Sequence, residues 1–233
     1  MREIVFDTET TGLAPDNGDR IIEIGAVELE NRFLTGRTFH AYVNPGGRAI
    51  DAEAEAIHGL SNRFLADKPT FAEIVDDLLT FVGDARLVAH NAAFDLAFLN
   101  AELARAGLAP LAADRVIDTL MLARRRHPMG PNSLDALCQR YGIDNSRRTR
   151  HGALLDSELL AEVYVELNGG RQASLLLDAE GAAATLPSPA EVVAGERRRR
   201  PAPLAPRLSQ DDVARHRAFV ATLGDGAVWN SFL

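Results

Sequence analysis

Only one cysteine, Cys138, occurs in the 233 residues. One thiol excludes an internal disulfide and cannot build a thiolate metal cluster alone, so a core side chain in a reducing compartment is expected. Long apolar runs are also missing. No window approaches the ~18 uninterrupted apolar residues of a bilayer span, and no membrane contact is expected. Asp7 already begins a candidate functional motif, which leaves no room for a signal peptide and points to a cytoplasmic protein. Basic charge is in short supply, with 25 Lys and Arg against 33 Asp and Glu and a formal net charge of −8. The chain therefore lacks the general basic field of an autonomous nucleic-acid binder. Nucleic acid remains open as a substrate, because metals held on carboxylates can bind phosphates, particularly when another protein delivers the strand. The hydrophobic content of 46% is ordinary, and the length suits one domain with an appendage.

What the sequence does have begins with "FDTETTG" at residues 6–12. A short apolar strand at residues 4–6 runs into Asp7 and Glu9. In extended chain, residues i and i+2 project to one face, so these carboxylates would aim at one point. That crowding needs a cation or basic partners, and the motif contains no Lys or Arg. A divalent metal fits, as does a strand end with solvated acids on the following turn; further carboxylates decide between them.

Strands are expected at "REIVF", "RIIEIGAVEL" (20–29) and "RTFHAYVN" (37–44), joined as an antiparallel meander. "TFAE" at 70–73 has the capping-box pattern and opens a helix through Phe81. "ARLVAH" (85–90) reads as a buried strand, followed by a helix over 92–106 with Asn91 as N-cap and Gly107 as stop. "RVIDTL" (115–120) is a further short strand, and helices follow around 133–141 and 152–167. Strands first, then alternating strands and helices, predict an α/β fold with a mixed sheet flanked by helices.

Two more acids fall near helix starts. Asp95 in "HNAAFD" would favour the helix dipole as an ordinary first-turn acid, yet His90 and Asn91 put polar groups at the carboxyl edge of a buried strand, where α/β sites form. Asp156 in "HGALLD" is in register with Leu160, Val163 and Leu167 on a buried stripe. An ionised carboxylate there must be paired, coordinated or neutralised. His151 lies five residues earlier, about 140° around an ideal helix, so it belongs to the preceding loop, as a site residue or as a surface or capping histidine. Asp118 reads as a helix cap outside the metal shell.

Together these segments resemble the three motifs of the DEDDh family of 3′→5′ exonucleases. "HGLS" (58–61) and "PNSLDALCQRYGI" (131–143) resemble its branch of proofreading epsilon subunits of bacterial DNA polymerase III. The similarity covers nearly all of residues 1–170. It implies a ribonuclease H-like fold with a five-stranded mixed sheet and an enzyme that removes mispaired 3′-terminal nucleotides as 5′-monophosphates. Two divalent cations, Mg²⁺ or Mn²⁺, would be held directly by Asp7, Glu9 and Asp156 and partly through water by Asp95, with His151 as general base. Glu53 and His58 would contact the terminal nucleotide, Thr10 and Leu13 the frayed base or sugar, and His90, Asn91 and Phe94 would complete the substrate contacts. RNA exonucleases such as oligoribonuclease or RNase T share this chemistry but not the extended tail; a non-catalytic scaffold would not need the complete acid set.

Residues 1–170 are thus the expected nuclease. Residues 171–207, rich in Ala, Pro, Glu and Arg, read as a flexible linker. Within them "QASLLL" (172–177), from Gln172 to Leu177, sits where the family carries a sliding-clamp peptide, though it lacks a terminal aromatic; an amphipathic linker is the alternative. "RRRR" (197–200) reads as a solvated charge run. In the tail, 208–233, Ser209 and Asp212 cap a helix with Val213, His216, Val220 and Leu223 on one face and Gly224 at its end, followed by Trp229 and Phe232. That face has no core of its own. The resemblance makes the tail the binding segment for the polymerase alpha subunit, in a bacterial, nucleoid-associated setting.

Overall fold

The computed structural model describes residues 1–170 and 209–223, which belong to two compact units, Met1–Leu175 and Leu176–Leu233. The first unit begins with β1 (Arg2–Thr10), whose Ile4, Val5 and Phe6 are buried. The strand runs four residues past the expected "REIVF", through Asp7 and Glu9. Antiparallel pairing with β2 (Ile21–Glu30) is unbroken from Arg2↔Glu30 to Glu9↔Glu23 and shifts register only between Glu9 and Thr10. Both acids therefore sit in regular strand with fixed side-chain directions. β2 returns as β3 (Phe33–Tyr42) through Asn31 and Arg32, whose φ of 52° and 71° suit a two-residue hairpin turn. β3 starts four residues before the expected segment.

Two short helices, α1 (Ala52–His58) and α2 (Asn62–Leu65), precede α3 (Phe71–Val82), which opens on the expected Thr70–Glu73 capping box. α1 was not foreseen because "AEAEAIH" carries no apolar stripe. Then follow β4 (Arg86–Ala89), α4 (Ala92–Arg105), β5 (Val116–Asp118), α5 (Thr119–Arg126), α6 (Leu134–Tyr141) and α7 (Ala153–Leu167). The five strands form one mixed sheet in the order β3-β2-β1-β4-β5, with β1, β4 and β5 parallel.

Alternation along β1 divides the core. Ile4 and Phe6 face a layer with Leu78, Phe98 and Leu103 of α3 and α4; Val5 faces the opposite layer with Leu160 and Tyr164 of α7. Cys138 is fully buried against α7, and burial pushes its thiol up to about 11, consistent with a core role. No described helix is long and apolar enough to cross a membrane.

Gly25 of β2 sets how closely α7 approaches. A Cβ there would stand 2.1 Å from the Leu154 amide nitrogen and 2.2 Å from the Ala153 carbonyl carbon. Ser157 Oγ lies 2.9 Å from the Gly25 carbonyl oxygen, tying the first turns of α7 to the strand. Gly25 is also the cross-strand partner of Asp7. Gly25→Ala must therefore push α7 away from the sheet, at a cost of roughly 1–3 kcal/mol. Urea melts should show that loss, and any turnover of the exonuclease the motifs lead one to expect, measured well below the melting temperature, should fall as well; unchanged turnover would mean that α7 need not sit this close.

In the second unit, α8 (Gln210–Thr222) has the expected Ser209–Asp212 capping box. Of its expected apolar face, Val220 is buried and Val213 half-buried, while His216 and Leu223 are exposed. The expected linker, the 172–177 peptide, the 197–200 arginine run, Gly224, Trp229 and Phe232 lie outside the described residues.

Candidate active site

Asp7 and Glu9 occupy odd positions of β1 and so share the α7 face with Val5. From that side α7 brings Asp156, 2% exposed, in its first turn. Asp95 arrives from α4, whose start follows the carboxyl end of β4. It is buried and accepts a hydrogen bond of 2.7 Å from Thr8 Oγ1, an even-numbered residue on the opposite face of β1. Four carboxylates from three separated segments thus meet at the carboxyl end of the parallel strands, where α/β folds place their clefts.

His151 lies in the loop before α7, with its backbone N–H donating to the Ile57 carbonyl at 3.3 Å. Its Nδ1 is 3.5 Å from Asp156 Oδ2. One ligand atom each from Glu9, His151 and Asp156 lie within 4.8 Å of one another.

The acids repel one another. Lost hydration and the charges of Asp95, Glu9 and Asp156 hold Asp7 well above the usual carboxylate range, although Asp7 keeps partial solvent contact. Burial, then Glu23 and Asp156, push Glu9 up to about 8. Burial raises Asp95 to about 7 against the lowering effect of the Thr8 hydrogen bond. Among the described residues, one guanidinium opposes these charges. Arg148 donates through Nη2 to Asp156 Oδ2 at 2.7 Å and through Nε to Oδ1, while its Nη1 reaches Asp135 Oδ2 at 2.8 Å. Nη2 also lies 2.9 Å from His151 Nδ1. A guanidinium can only donate, so Nδ1 is the acceptor and the imidazole is neutral. Burial and Arg148 hold the His151 pKa below its ordinary value. One guanidinium against four carboxylates leaves an excess of hard oxygen donors, a set suited to Mg²⁺ or Mn²⁺.

The acids stand between two clefts. One, of about 560 Å³, is lined by Glu9 together with Thr10, Leu13, Glu53, His58 and Phe94. The other, of about 550 Å³, is lined by Asp7, His90, Asn132, Arg148, His151 and Asp156. Leu13 is 82% exposed, an apolar surface on the cleft wall. His58 accepts from the Leu60 amide through Nδ1, at 3.0 Å, so its proton is on Nε2, which is buried with no partner of hydrogen-bond geometry. The Thr10 backbone favours the charged imidazole there, but burial outweighs it and lowers the His58 pKa. His90 Nδ1 is 2.9 Å from Thr119 Oγ1, whose own proton goes to the Ala89 carbonyl.

Asn91 is not brought into either cleft. It precedes α4 with φ of 62° and makes no side-chain cap, so the expected capping role is corrected. A left-handed Asn turns its amide away from the first-turn N–H groups. Its backbone N–H instead donates to Asp118, which caps α5 by accepting from the Leu120 amide at 2.8 Å. The residues not foreseen are Arg148, Asp135 and Thr8. "SRRTRH" held three arginines before the helix, and nothing in their spacing singles out Arg148.

The exonuclease family model matches residues 4–164. The DNA polymerase III subunit epsilon of Rickettsia felis is 54% identical over 177 residues, 75% of this chain and 77% of that protein. Its Escherichia coli counterpart is 51% identical over 187 residues, 77% and 76% of the two chains. Among solved structures, exonuclease X in complex with 5′-overhanging duplex DNA is 27% identical with a TM-score of 0.55, covering 72% of this chain and 91% of that one. The nuclease domain of 3′hExo, a DEDDh family member bound to rAMP, superposes with a TM-score of 0.61 at 21% identity, covering 72% and 92%, and shares the fold. With the matched segment spanning β1 to α7 and half the aligned residues shared with these relatives, the chain belongs to the exonuclease family and, within it, to the DNA polymerase III epsilon subunits.

Proposed function

We propose that this chain is the proofreading 3′→5′ exonuclease of a bacterial replicative polymerase, cutting mispaired 3′-terminal nucleotides from DNA as 5′-monophosphates. The observation that carries this reading is the meeting of Asp7, Glu9, Asp95 and Asp156 beside a neutral His151 at the junction of two clefts. Asp7, Glu9 and Asp156 are suited to hold two divalent cations, Mg²⁺ or Mn²⁺, directly, with Asp95 assisting partly through water. Such ions supply charge neutralisation at the scissile phosphate and acidify the attacking water. His151 takes the proton of that water as its oxygen adds to phosphorus; the 3′ oxygen of the preceding nucleotide leaves with the bonding pair. Thr8 orients Asp95 through its hydroxyl, which donates to Oδ1.

The terminal nucleotide belongs in the cleft beside Glu9. There Leu13 and Phe94 offer apolar faces to base and sugar, Thr10 and Glu53 offer acceptors, and His58 holds its Nε2 proton unpaired. His90 lines the other cleft, on the proposed path of the strand. In the cell, a cytoplasmic, nucleoid-associated setting accords with this substrate. Residues 208–233 bind the polymerase alpha subunit, residues 171–207 link them to the nuclease, and the segment from Gln172 to Leu177 is a proposed sliding-clamp contact. Held near the primer terminus by such a tether, an acidic nuclease can tolerate weak intrinsic DNA affinity.

The test is digestion of single-stranded DNA, mispaired duplex ends and RNA by the purified chain with Mg²⁺ or with EDTA. Metal-dependent release of 5′-monophosphates from the 3′ end of DNA is expected; preference for RNA, or loss that EDTA does not prevent, would sink the reading. A chain ending at Gly170 should remain folded and active on single-stranded DNA yet fail to co-elute with the alpha subunit on gel filtration. Co-elution as strong as that of the full chain would remove the tail as the tether.

A further inference from the structure

Among the described residues, Arg148 is the only permanently charged cation that is paired with Asp156. Its side chain is 7% exposed and grips Asp156 with both Nε and Nη2, so the oxygens suited to a cation are committed to a guanidinium. The same Nη2 lies against His151 Nδ1, the atom suited to receive a proton. The remaining nitrogen, Nη1, is anchored outside the acids on Asp135 at the start of α6, whose side chain is 57% exposed. One arginine thus bridges an inner, buried carboxylate and an outer, solvated one.

From this bridge we infer that Arg148 is a built-in counter-ion of the metal-free site, displaced from Asp156 when a divalent cation enters and retained meanwhile by Asp135. The inference rests on the metal reading given above and adds to it a competitor carried by the chain itself. Without a partner, the buried Asp156 carboxylate would face Asp7 and Glu9 across a poorly hydrated space, a strongly destabilising arrangement. The guanidinium relieves that repulsion with charge and two hydrogen bonds. A cation that needs the same oxygens must break this pairing, so part of its binding free energy goes into moving Arg148. Release also frees His151 Nδ1 of its donor, which couples metal entry to the exposure of the base. The Asp135 contact keeps the freed guanidinium at the cleft that Arg148, His151 and Asp156 all line, where a phosphate of the substrate can meet it.

Calorimetric titration of Mn²⁺ into the full-length chain without DNA, paired with thermal melts in EDTA and in saturating Mn²⁺, tests the inference. Arg148→Gln should bind Mn²⁺ about tenfold more tightly than the wild type and melt roughly 5 °C lower in EDTA, with the deficit largely erased by Mn²⁺. Arg148→Lys keeps the charge but loses the paired geometry, so it secures the test should the Gln variant fold poorly; its Mn²⁺ affinity should fall between the two. Equal or weaker Mn²⁺ binding by these variants, or the same melting deficit with and without metal, would make Arg148 a purely structural residue and overturn the inference. Asp156→Asn separates the two levels of the argument. If it binds Mn²⁺ as the wild type does, the metal assignment fails and this inference with it; if it loses binding while Arg148→Gln gains none, only the counter-ion role fails.

Discussion

Asp7→Asn is expected to cut DNA hydrolysis by about 10³- to 10⁵-fold, roughly 4 to 7 kcal/mol of barrier, because it removes one of the carboxylate oxygens proposed to hold the metals. The fold should survive and gain. Asp7 is pushed well above the usual carboxylate range by lost hydration and three neighbouring carboxylates, so in the absence of metal its ionised form is a destabilising element. The gain depends on pH with a definite sign. Glu9 titrates near 8 in the folded chain against an ordinary value of 4.5. Between those values the folded chain binds more protons than the unfolded one, so the metal-free wild type loses stability as pH rises through that window. The Asp7 carboxyl is raised in the same direction, so Asp7→Asn removes its own contribution to this loss. Thermal melts in EDTA from about pH 5 to 9 should show a stabilisation over wild type that grows with pH. Parallel curves would mean that Asp7 is not electrostatically strained, and near-normal turnover with Mg²⁺ would remove it from the catalytic set.

His151→Ala has the second large effect. The rate should fall about 10²- to 10⁴-fold, roughly 3 to 5 kcal/mol, while Mn²⁺ binding persists. The structure gives this prediction a sharper form than the motif spacing did. Nδ1 accepts from Arg148 and the pKa is held below its ordinary value, so the imidazole is a free base at neutral pH. The wild-type rate should therefore fall on acidification as His151 takes up a proton, and this limb should be missing from the variant. His151 also lies within ligand distance of Glu9 and Asp156, which gives the calorimetry a decisive outcome. A variant that no longer binds Mn²⁺ would make His151 part of the metal site instead of the base.

How far the sequence foresaw this arrangement depended on how local each signal was. The i, i+2 spacing put Asp7 and Glu9 on one strand face, and the stripe of Asp156 with Leu160 and Val163 put that acid on the buried face of a helix, because strand and helix periods are set by the backbone alone. The capping boxes at Thr70 and Ser209 depend on side chains three residues apart and were legible for the same reason. The end of β1 was misjudged, since its extension through Thr10 is fixed by pairing with a strand more than ten residues away.

Composition, periodicity and the three motifs determined the α/β class, the mixed sheet and the acids and histidine of the candidate site. Only the tertiary structure decided what those groups touch. That Arg148 answers Asp156, that Thr8 holds Asp95 from the far side of the strand, and that Gly25 lets α7 come within backbone contact of β2 all depend on close packing between segments distant in sequence. Hydrogen bonds and ion pairs act over a few ångströms, and which side chains come that close is settled by how the helices seat on the sheet, a property no local period encodes.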